Sequence, residues 1–498
     1  MNVNPITRLD YPDLDVIRVE DTYYMVSTTM HFMPGCEILQ SFDLVHWEHV
    51  TYVYETLDHT DAQQLKSGQN IYGQGMWAAS LRYHEGRFCI CFVANDTRKT
   101  YLYTSEKIDG PWKKQLIEGF YHDGSLLFDE DGRNYIVYGN DEIWITELNE
   151  DLTAPKKDGL HRLLVSDHKN PELGYEGSHI QKINGYYYIF LIHSLRDRWM
   201  RTEACFYSDS LEGEFTGGDV LCDDRGYCGQ GVAQGGIVDT PDGKWYAMLF
   251  QDSGAVGRIP ILLPVTWKDH FPFFGQNGHV PEEIEVHSTR PGYIYQPLVG
   301  SDDFCNGLLP RWQFNHDPDP RYYHLDALQG TYTITTREVC TELTQAVNTL
   351  TQRMSYPSCA AEVTVDASAL KEGDVAGLCA LQSCYAAVGI TKHHGKYEVL
   401  MLDKKEDGIL DMTEGTVVES HQMDFRLEAD FCNMKDEARC YYRVNKGDWL
   451  PIGTVHKLYF KLDHFTGCRF GLFCYATEET GGSACFRDFK YYDVDEIS

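Results

Sequence analysis

Residues 179–192, HIQKINGYYYIFLI, place an Asn-Gly pair between two runs of strand-forming residues. Asn-Gly is a favoured two-residue turn in β-hairpins because both of its positions need positive φ. The same order of run, turn and run recurs four more times in the first half of the chain. The five turns are Asp21-Thr22, Glu85-Gly86, Asp131-Gly132, Asn184-Gly185 and Asp242-Gly243.

The regular spacing of these turns predicts the fold. Successive turns are 64, 46, 53 and 58 residues apart, which suits a four-stranded blade with its loops. Related strand-and-turn text follows four of the hairpins, at Ser41, Ser105, Asn149 and Ser208. Five such units ending near residue 275 predict an all-β chain that begins with a five-bladed β-propeller. A long β-sandwich is the alternative, and the regular repeat favours the propeller.

The position eight residues before each turn identifies a candidate site. In a propeller, equivalent positions at the start of the innermost strands face one end of the central channel. The five residues at this position are Asp13, Trp77, Asp123, Glu176 and Gln234. Burial of a carboxylate is costly and like charges repel, so three carboxylic residues at one repeat position indicate function rather than strand capping.

Carboxylates at a channel mouth suit either an oxygen-ligated cation or acid/base hydrolysis. The sequence lacks the dense acidic loop of a dedicated calcium site, and Trp77 offers the apolar face that a sugar ring needs. Glycoside hydrolysis uses one protonated carboxyl at the leaving oxygen and one carboxylate that activates water or acts as nucleophile. A third carboxylate can keep the acid protonated at neutral pH. Two carboxyls about 6.5–9.5 Å apart would predict inversion of configuration.

The segments around these carboxylates resemble glycoside hydrolase family 43 along residues 1–275. Tyr11-Pro12-Asp13 resembles the motif around the family's general base, with Leu14 in place of the usual proline. Asp123-Gly124-Ser125 resembles the segment whose carboxylate tunes the acid, and Tyr175-Glu176-Gly177-Ser178-His179 resembles the segment that bears the general acid. The resemblance therefore implies Asp13 as base, Asp123 as tuning carboxylate and Glu176 as acid.

The resemblance also implies residues that bind the sugar. Trp77-Ala78-Ala79-Ser80 resembles a Trp-Ala-Pro segment of the family, and Gly257-Arg258-Ile259-Pro260 resembles the segment whose arginine binds sugar hydroxyls. Loops in the first blade, in the fifth blade and in the C-terminal domain resemble parts of the pocket wall. The candidate substrate-binding residues are His31, Phe32, Trp77, Gln234, Arg258 and Phe465.

The second half of the chain predicts a separate β-domain. Residues 276–302 lack blade character and are interpreted as a linker. From residue 303 to 498, strand-like segments alternate with polar turns, which suits a β-sandwich; one of these segments is KLYFKL at 457–462. The arrangement resembles the concanavalin-like domain of one group of family 43 enzymes, which Trp312-Gln-Phe-Asn-His-Asp-Pro318 also fits. A separate carbohydrate-binding surface is the alternative role for this domain.

No cofactor is expected to be required, and no metal ligand is assigned. Some family members place a channel histidine beside a cation, whereas Ala233-Gln234 occupies that neighbourhood here. Sandwich domains of this type often carry a structural calcium ion, but the sequence does not identify its ligands.

Charge and composition restrict the partners. The formal net charge is 43 − 75 = −32, which disfavours nucleic acid and anionic lipid as partners. No apolar run of about 18 residues is present to cross a membrane, and no secretory signal peptide is expected. The 16 cysteines contain no C-x-x-C pair, which predicts reduced thiols in a cytoplasmic protein. The sequence leaves homo-oligomerisation open.

Together these observations predict an inverting, exo-acting glycoside hydrolase that releases terminal pentoses from oligosaccharides. The resemblance implies a β-D-xylosidase acting on xylo-oligosaccharides, with α-L-arabinofuranosidase as the alternative within the same class. A non-catalytic carbohydrate-binding propeller and a calcium-dependent interaction scaffold are alternatives from other classes. Retention of all three carboxylates favours the enzyme, because binding alone does not need them.

Overall fold

The computed structural model describes residues 2–493. Within this range the regular structure is β-strand, apart from four single 3-10 turns at Lys66–Gly68, Gly254–Val256, Leu343–Gln345 and Cys432–Met434. No helix in the described range is long and apolar enough to cross a membrane. The chain is therefore all-β, as the sequence predicts.

Five antiparallel four-stranded sheets follow one another along the first half of the chain. Blade 1 contains β2 (Asp15–Val19), β3 (Thr22–Val26), β5 (Gly35–Ser41) and β6 (Glu48–Tyr54). Blade 2 contains β7 (Met76–His84), β8 (Arg87–Ala94), β9 (Lys99–Ser105) and β10 (Lys113–Ile117). Blade 3 contains β11 (Ser125–Phe128), β12 (Asn134–Asn140), β13 (Glu142–Leu148) and β14 (His161–Ser166).

Blade 4 contains β15 (Glu176–Ile183), β16 (Tyr186–Ser194), β17 (Arg201–Ser208) and β18 (Thr216–Leu221). Blade 5 contains β19 (Val232–Asp239), β20 (Trp245–Asp252), β21 (Arg258–Lys268) and β22 (Phe271–Phe274). The first strands β2, β7, β11, β15 and β19 contact one another in turn, and β19 contacts β2. This closed ring confirms the predicted five-bladed propeller.

The hairpin turns are close to the predicted positions, with one shift. The second and fourth turns are Glu85-Gly86 and Asn184-Gly185, between the strands as predicted. The first turn is Glu20-Asp21 rather than Asp21-Thr22, because Thr22 already pairs with Val19 in the ladder. The third and fifth connections are longer, spanning 129–133 and 240–244.

One backbone feature marks the equivalent position in every blade at the channel mouth. A residue with positive φ (51°, 43°, 49°, 65° and 59° in blade order) stands at or near the start of each inner strand: Asp13, Ala78, Asp123, Gly177 and Gln234. Trp77 and Glu176 lie one residue before this position, so equal counting from the turns is wrong for these two blades. β-bulges shift the register after Trp77, after Glu176 and after Ala233.

Arg82 joins four blades inside the channel. Its guanidinium donates to Asp15 Oδ2 of blade 1 at 2.7 Å, to Ser125 Oγ of blade 3 at 2.7 Å and to the carbonyl oxygen of Ile180 in blade 4 at 3.2 Å. Asp15 is fully buried and also contacts His179 Nδ1 at 3.1 Å. Burial raises the pKa of the Asp15 carboxyl, but the charge of Arg82 and the His179 hydrogen bond outweigh it and lower the pKa to about 2.

We expect Arg82→Ala to destabilise the propeller strongly, because it leaves the buried Asp15 charge without its partner. Removing one member of a buried ion pair typically costs about 3–5 kcal/mol. Thermal unfolding followed by circular dichroism is the measurement, with Arg87→Ala as control, since Arg87 is an exposed arginine of the same blade. A variant that unfolds at the wild-type temperature would show that Arg82 does not hold the blades together.

The second domain is a sandwich of two large antiparallel sheets. In order, the first sheet contains β32 (Leu410–Met412), β31 (Lys396–Lys404), β30 (Tyr385–His393), β29 (Asp374–Leu381), β37 (Arg469–Ala476), β27 (Leu350–Arg353), β24 (Gln313–Asn315) and β4 (Phe32–Met33), with β33 (Thr416–Val418) beside β31. The second contains β25 (Tyr323–Asp326), β26 (Thr331–Thr335), β38 (Ser483–Asp493), β28 (Ser358–Asp366), β34 (Gln422–Asp430), β35 (Glu437–Val444) and β36 (Leu450–Lys457).

One strand predicted in this domain is wrong. The segment 457–462 is not a strand, because β36 ends at Lys457 where its partner β35 begins at Glu437. The following residues lead into the loop 463–467. The long strand β34, which lies between β28 and β35 in the sheet, was not predicted from the sequence.

The segment 276–302 is bound to the propeller over most of its length, and its last residues bond to the sandwich through Gly300 and Asp302. Within this segment β23 (Glu283–Ile284) pairs with β1 (Asn2–Val3), and Thr289 N–H donates to the carbonyl oxygen of Phe42 at 2.7 Å. The segment predicted as a linker therefore carries the chain along the first blade before the sandwich begins.

The two domains are joined through the channel mouth. Strand β4 belongs to the first-blade loop, yet it extends the sandwich sheet by pairing with β24. Val256 of the propeller lies in the main apolar core of the sandwich. The buried Asp10 carboxylate accepts the backbone N–H groups of Arg258 at 2.7 Å and of Gly467 at 2.8 Å. These contacts fix the sandwich loop 463–467 against the propeller.

Candidate active site

Asp13 stands at the channel mouth just before β2 and is only 4% exposed. Its Oδ2 accepts a hydrogen bond from Thr28 Oγ1 at 2.6 Å, and its Oδ1 accepts one from Arg258 Nη1 at 2.5 Å. Thr28 Oγ1 in turn accepts the Ala78 N–H at 2.8 Å, which ties this carboxylate to the second blade. Hydrogen bonds to both oxygens, one of them from a guanidinium, fix the direction of this buried carboxylate.

Two buried arginines and one aspartate link the fourth and fifth blades beside the site. Arg258 Nε donates to Asp252 Oδ1 at 3.1 Å, and Arg201 Nε lies 3.1 Å from Asp252 Oδ2. Both guanidinium groups are almost fully buried. Asp252 therefore balances two cations, and Arg258 also contacts Asp13. The result is a fixed positive surface beside the carboxylates.

Asp123 and Glu176 approach each other from the third and fourth blades. Asp123 Oδ2 accepts the Gly177 N–H at 2.9 Å, and Glu176 Oε2 accepts Asn140 Nδ2 at 2.8 Å. His122 Nε2 lies 3.6 Å from Asp123 Oδ2 and 3.5 Å from Glu176 Oε2. The ligand atoms of these three side chains lie within 4.8 Å of one another, and Asp13 is outside this group. The site therefore consists of the Asp123–Glu176 pair with His122 and, separate from that pair, Asp13.

The electrostatics of the carboxyl pair differ between its members. Burial raises the pKa of Asp123 to about 6, against the charge of His122 and with help from Glu176 and Asp13. Burial also raises the pKa of Glu176, but the charged His122 beside it, with help from Arg201 and Arg258, outweighs burial and leaves the pKa below its usual value. The charge of Asp123 raises the pKa of His122 to about 9. A proton taken up by this pair therefore resides on Asp123 rather than on Glu176, and near neutral pH the protonated group of the cluster is His122.

Aromatic rings from both domains border the site. The Trp77 ring lies 5.0 Å from Phe465 and 6.4 Å from His122 between ring centroids. The Arg258 guanidinium lies 3.7 Å from the Phe465 ring centroid. Phe465 comes from the sandwich, so the second domain supplies part of the pocket wall. Trp77, Phe465 and Arg258 are thus brought together with the carboxylates.

The other predicted sugar-binding residues lie beside or behind this group. Gln234 packs its side-chain amide against Gly177, the residue after Glu176. His31 is buried behind the mouth and contacts Asn315 Oδ1 at 3.1 Å through Nε2. Phe32 is buried, and the Arg469 guanidinium lies 3.5 Å from the centroid of the Phe32 ring. His31 and Phe32 therefore lie at the domain interface, and their contact with sugar stays a prediction.

Four residues that complete the site were not predicted from sequence: Thr28, His122, Asn140 and Arg201. His122 directly precedes Asp123, so its position at the mouth could have been inferred from the repeat alignment. Asn140 and Arg201 lie at the ends of second and third strands, where the repeat alignment gave no signal. Their proximity to Glu176 depends on how the blades are arranged.

The convergence of His122, Asp123 and Glu176 is also a geometry that a divalent cation could use. A cation there would replace the proton that this cluster holds. We do not assign these residues as metal ligands. Within residues 2–493 this is the one group of three His, Cys, Asp or Glu side chains that converge in this way, so the sandwich offers no comparable side-chain set for calcium.

Two family models match the chain. The model for Glycosyl hydrolases family 43 matches residues 3–272, which is more than half of the chain. The model for the Beta xylosidase C-terminal Concanavalin A-like domain matches residues 301–492. The two matches correspond to the propeller and the sandwich.

Known proteins resemble the chain over its whole length. A beta-xylosidase of Formosa agariphila is 26% identical, with 99% of this chain and 89% of that protein covered. A solved structure described as a bifunctional GH43-CE protein of Bacteroides eggerthii is 42% identical with a TM-score of 0.91; the match covers 99% of this chain and 63% of that one. An engineered GH43 glycoside hydrolase with endo-xylanase and exo-arabinofuranosidase activity is 27% identical with a TM-score of 0.87, and 99% of each chain is covered.

Proposed function

The chain belongs to glycosyl hydrolases family 43, an inverting family of glycoside hydrolases, and we propose that it is an exo-acting β-D-xylosidase of xylo-oligosaccharides. The observation that carries the proposal is the pairing of Asp13 with Arg258 on one side of the mouth and the Asp123–Glu176 pair on the other. Relatives named beta-xylosidase support the choice of sugar.

Asp13 acts as the general base in this proposal. Arg258 and Thr28 hold its carboxylate in a fixed orientation at the mouth. A water between Asp13 and the anomeric carbon loses its proton to Asp13 as its oxygen attacks that carbon. Direct displacement by water inverts the configuration at the anomeric carbon.

Glu176 acts as the general acid and gives its proton to the glycosidic oxygen as the bond to the anomeric carbon breaks. In the free site Asp123 takes up a proton more readily than Glu176, because burial raises the pKa of Asp123 whereas His122 lowers that of Glu176. Sugar hydroxyls that donate to Asp123 favour its ionised form, so substrate binding moves the proton to Glu176. Asp123 thus tunes the acid and orients the sugar.

The burial of the carboxylates and the aromatic rings beside them support the exo mode. Asp13 is 4% and Asp123 is 7% exposed, and Trp77 and Phe465 border the site from opposite domains. A narrow, aromatic-walled pocket accommodates a terminal sugar, whereas an internal residue of a polysaccharide needs an open cleft.

Release of α-L-arabinofuranose is the second candidate. The engineered GH43 hydrolase that matches this chain along its length has exo-arabinofuranosidase activity. Arg258 offers fixed donors to vicinal hydroxyls of either pentose.

Release of 4-nitrophenol from the β-D-xylopyranoside and the α-L-arabinofuranoside tests the proposal, together with liberation of xylose from xylobiose. We expect the xyloside to be cleaved faster. Faster cleavage of the arabinofuranoside would replace the proposed sugar with the second candidate. A folded protein that binds xylo-oligosaccharides but cleaves neither glycoside would support the non-catalytic alternative.

We propose that hydrolysis requires no metal ion, because the site supplies its own cations in Arg258, Arg201 and His122. Activity measured after exhaustive dialysis against EDTA should equal that of the untreated enzyme. A loss that calcium or another divalent cation restores would contradict this prediction. Unfolding temperature measured on the same samples separates a structural ion from a catalytic one.

A further inference from the structure

His122 occupies a position that neither the base nor the acid explains. It lies in the turn before β11, and its backbone carbonyl accepts the Gly139 N–H at 3.0 Å, which fixes the residue against the third blade. Its side chain is about three-quarters buried, and its Nε2 is buried without a hydrogen bond of normal geometry. The same nitrogen faces Asp123 and Glu176 at nearly equal distances of 3.6 and 3.5 Å. One ring nitrogen therefore faces both carboxyls.

We propose that His122 is a positioning residue that holds the Asp123–Glu176 pair together and sets the pH at which the pair loses its proton. This inference rests on the proposed function, in which Glu176 is the acid. Two buried carboxyls repel when both are ionised, and an imidazolium between them removes that repulsion. Nε2 is not hydrogen-bonded to either oxygen in the free site. His122 can therefore donate to whichever carboxyl is ionised as the proton moves from Asp123 to Glu176.

The surroundings of His122 support a charged imidazole. The groups that face it are Asp123 on its own blade, Glu176 on the fourth blade and Asp13 on the first. The cations Arg201 and Arg258 lie beyond Glu176 and act on that carboxylate. Three carboxylates around one ring favour its protonated form, in agreement with the pKa of about 9. Trp77 closes the apolar side of the ring.

The sign of the effect follows from this arrangement. A positive charge next to the pair stabilises the ionised carboxyls and so lowers the pH at which the acid is lost. Removing it raises the pKa of the pair, and the alkaline limb of the kcat/KM profile moves to higher pH. An adjacent opposite charge shifts a carboxyl pKa by about 1–3 units, so a shift near one unit is expected.

Two variants separate charge from position: His122→Phe removes both the charge and the donor, and His122→Gln keeps a donor without charge. kcat/KM is measured from pH 4 to 9 with xylobiose and with 4-nitrophenyl β-D-xylopyranoside. His84→Gln is the control, because His84 ends the same type of inner strand at the opposite end of the channel.

We expect both variants to shift the alkaline limb upward by about one unit. His122→Phe should also lower kcat on xylobiose by roughly tenfold, because Glu176 is no longer held in position to protonate the leaving oxygen. His122→Gln should keep most of the wild-type kcat. The nitrophenyl xyloside has a better leaving group and needs less acid assistance, so kcat on this substrate should fall less in His122→Phe. If the alkaline limb of the kcat/KM profile stays within about 0.2 pH units of wild type in both folded variants, the inference is overturned and the proposed function is left intact.

Titration of ¹⁵N-labelled histidine by NMR gives a readout without turnover. His122 should titrate well above its ordinary pKa in the wild type, and its pKa should fall by about a unit or more in Asp123→Asn. If the protein cleaves no glycoside but this coupling is present, the proposed function fails while the coupling of His122 to the pair stands. A wild-type His122 that titrates at its ordinary pKa overturns the inference whatever the activity.

Discussion

Asp13→Asn is expected to abolish hydrolysis of every glycoside that the enzyme cleaves, whatever the leaving group. Loss of a general base typically reduces the rate by about 10²–10⁴-fold. An asparagine is nearly the same size and keeps one oxygen that can accept from Arg258, while its amide N–H can donate to Thr28 Oγ1, so substrate binding should change little. The effect should therefore appear in kcat rather than in KM.

The measurement is steady-state kinetics with xylobiose and with 4-nitrophenyl β-D-xylopyranoside. Glu20→Gln is the matched control, because Glu20 is an exposed acid of the same blade. Equal losses on the two substrates identify the step at which water attacks. Retention of more than a tenth of the wild-type kcat would remove Asp13 from the role of base.

Glu176→Gln is expected to produce the second large loss, but one that depends on the leaving group. Without a proton donor, cleavage of xylobiose should fall by about 10²–10⁴-fold. The 4-nitrophenolate group leaves without full protonation, so its xyloside should retain much more activity. The variant should also lose the alkaline limb of the pH profile, since that limb reports ionisation of the acid.

Glu172→Gln is the control for this variant, because Glu172 is exposed in the loop before the same strand. Both proteins should unfold at the wild-type temperature, since Glu176 is partly exposed and its main partner is Asn140. An equal loss on both substrates with an unchanged alkaline limb would assign Glu176 a binding role instead of proton donation.

The sequence was sufficient to predict the propeller because its signals are local. A turn pair such as Asn184-Gly185 between two strand-forming runs is recognisable within a few residues. Five copies at a regular spacing then require a closed repeat. The positions of Asp13, Asp123 and Glu176 at the mouth follow from the same repeat, although in two blades the residue with positive φ lies one position later.

Long-range contacts were beyond this kind of prediction. The pairing of β4 with β24 joins Phe32 to Asn315, which are almost three hundred residues apart in the chain. Nothing near Phe32 in the sequence indicates a strand that belongs to another domain. The Arg201–Asp252 contact likewise depends on how two adjacent blades are arranged.

The wrong strand at 457–462 has a similar cause. Its residues alternate as a strand should, yet the partner β35 starts opposite Lys457 and leaves no ladder beyond it. Periodicity describes what a segment can form, whereas hydrogen-bond partners decide where a strand ends. For the same reason the sequence does not predict a role for His122, since that role depends on its distances to both carboxyls.

The central claim is that water activated by Asp13 displaces a leaving group protonated by Glu176 in a single step at a terminal xylose. Proton NMR of the anomer first formed from xylobiose or 4-nitrophenyl β-D-xylopyranoside tests it most directly. The account predicts that α-D-xylopyranose appears first and mutarotates to the equilibrium mixture. Initial formation of β-D-xylopyranose would mean a covalent intermediate and retention, and would contradict the roles assigned to both residues.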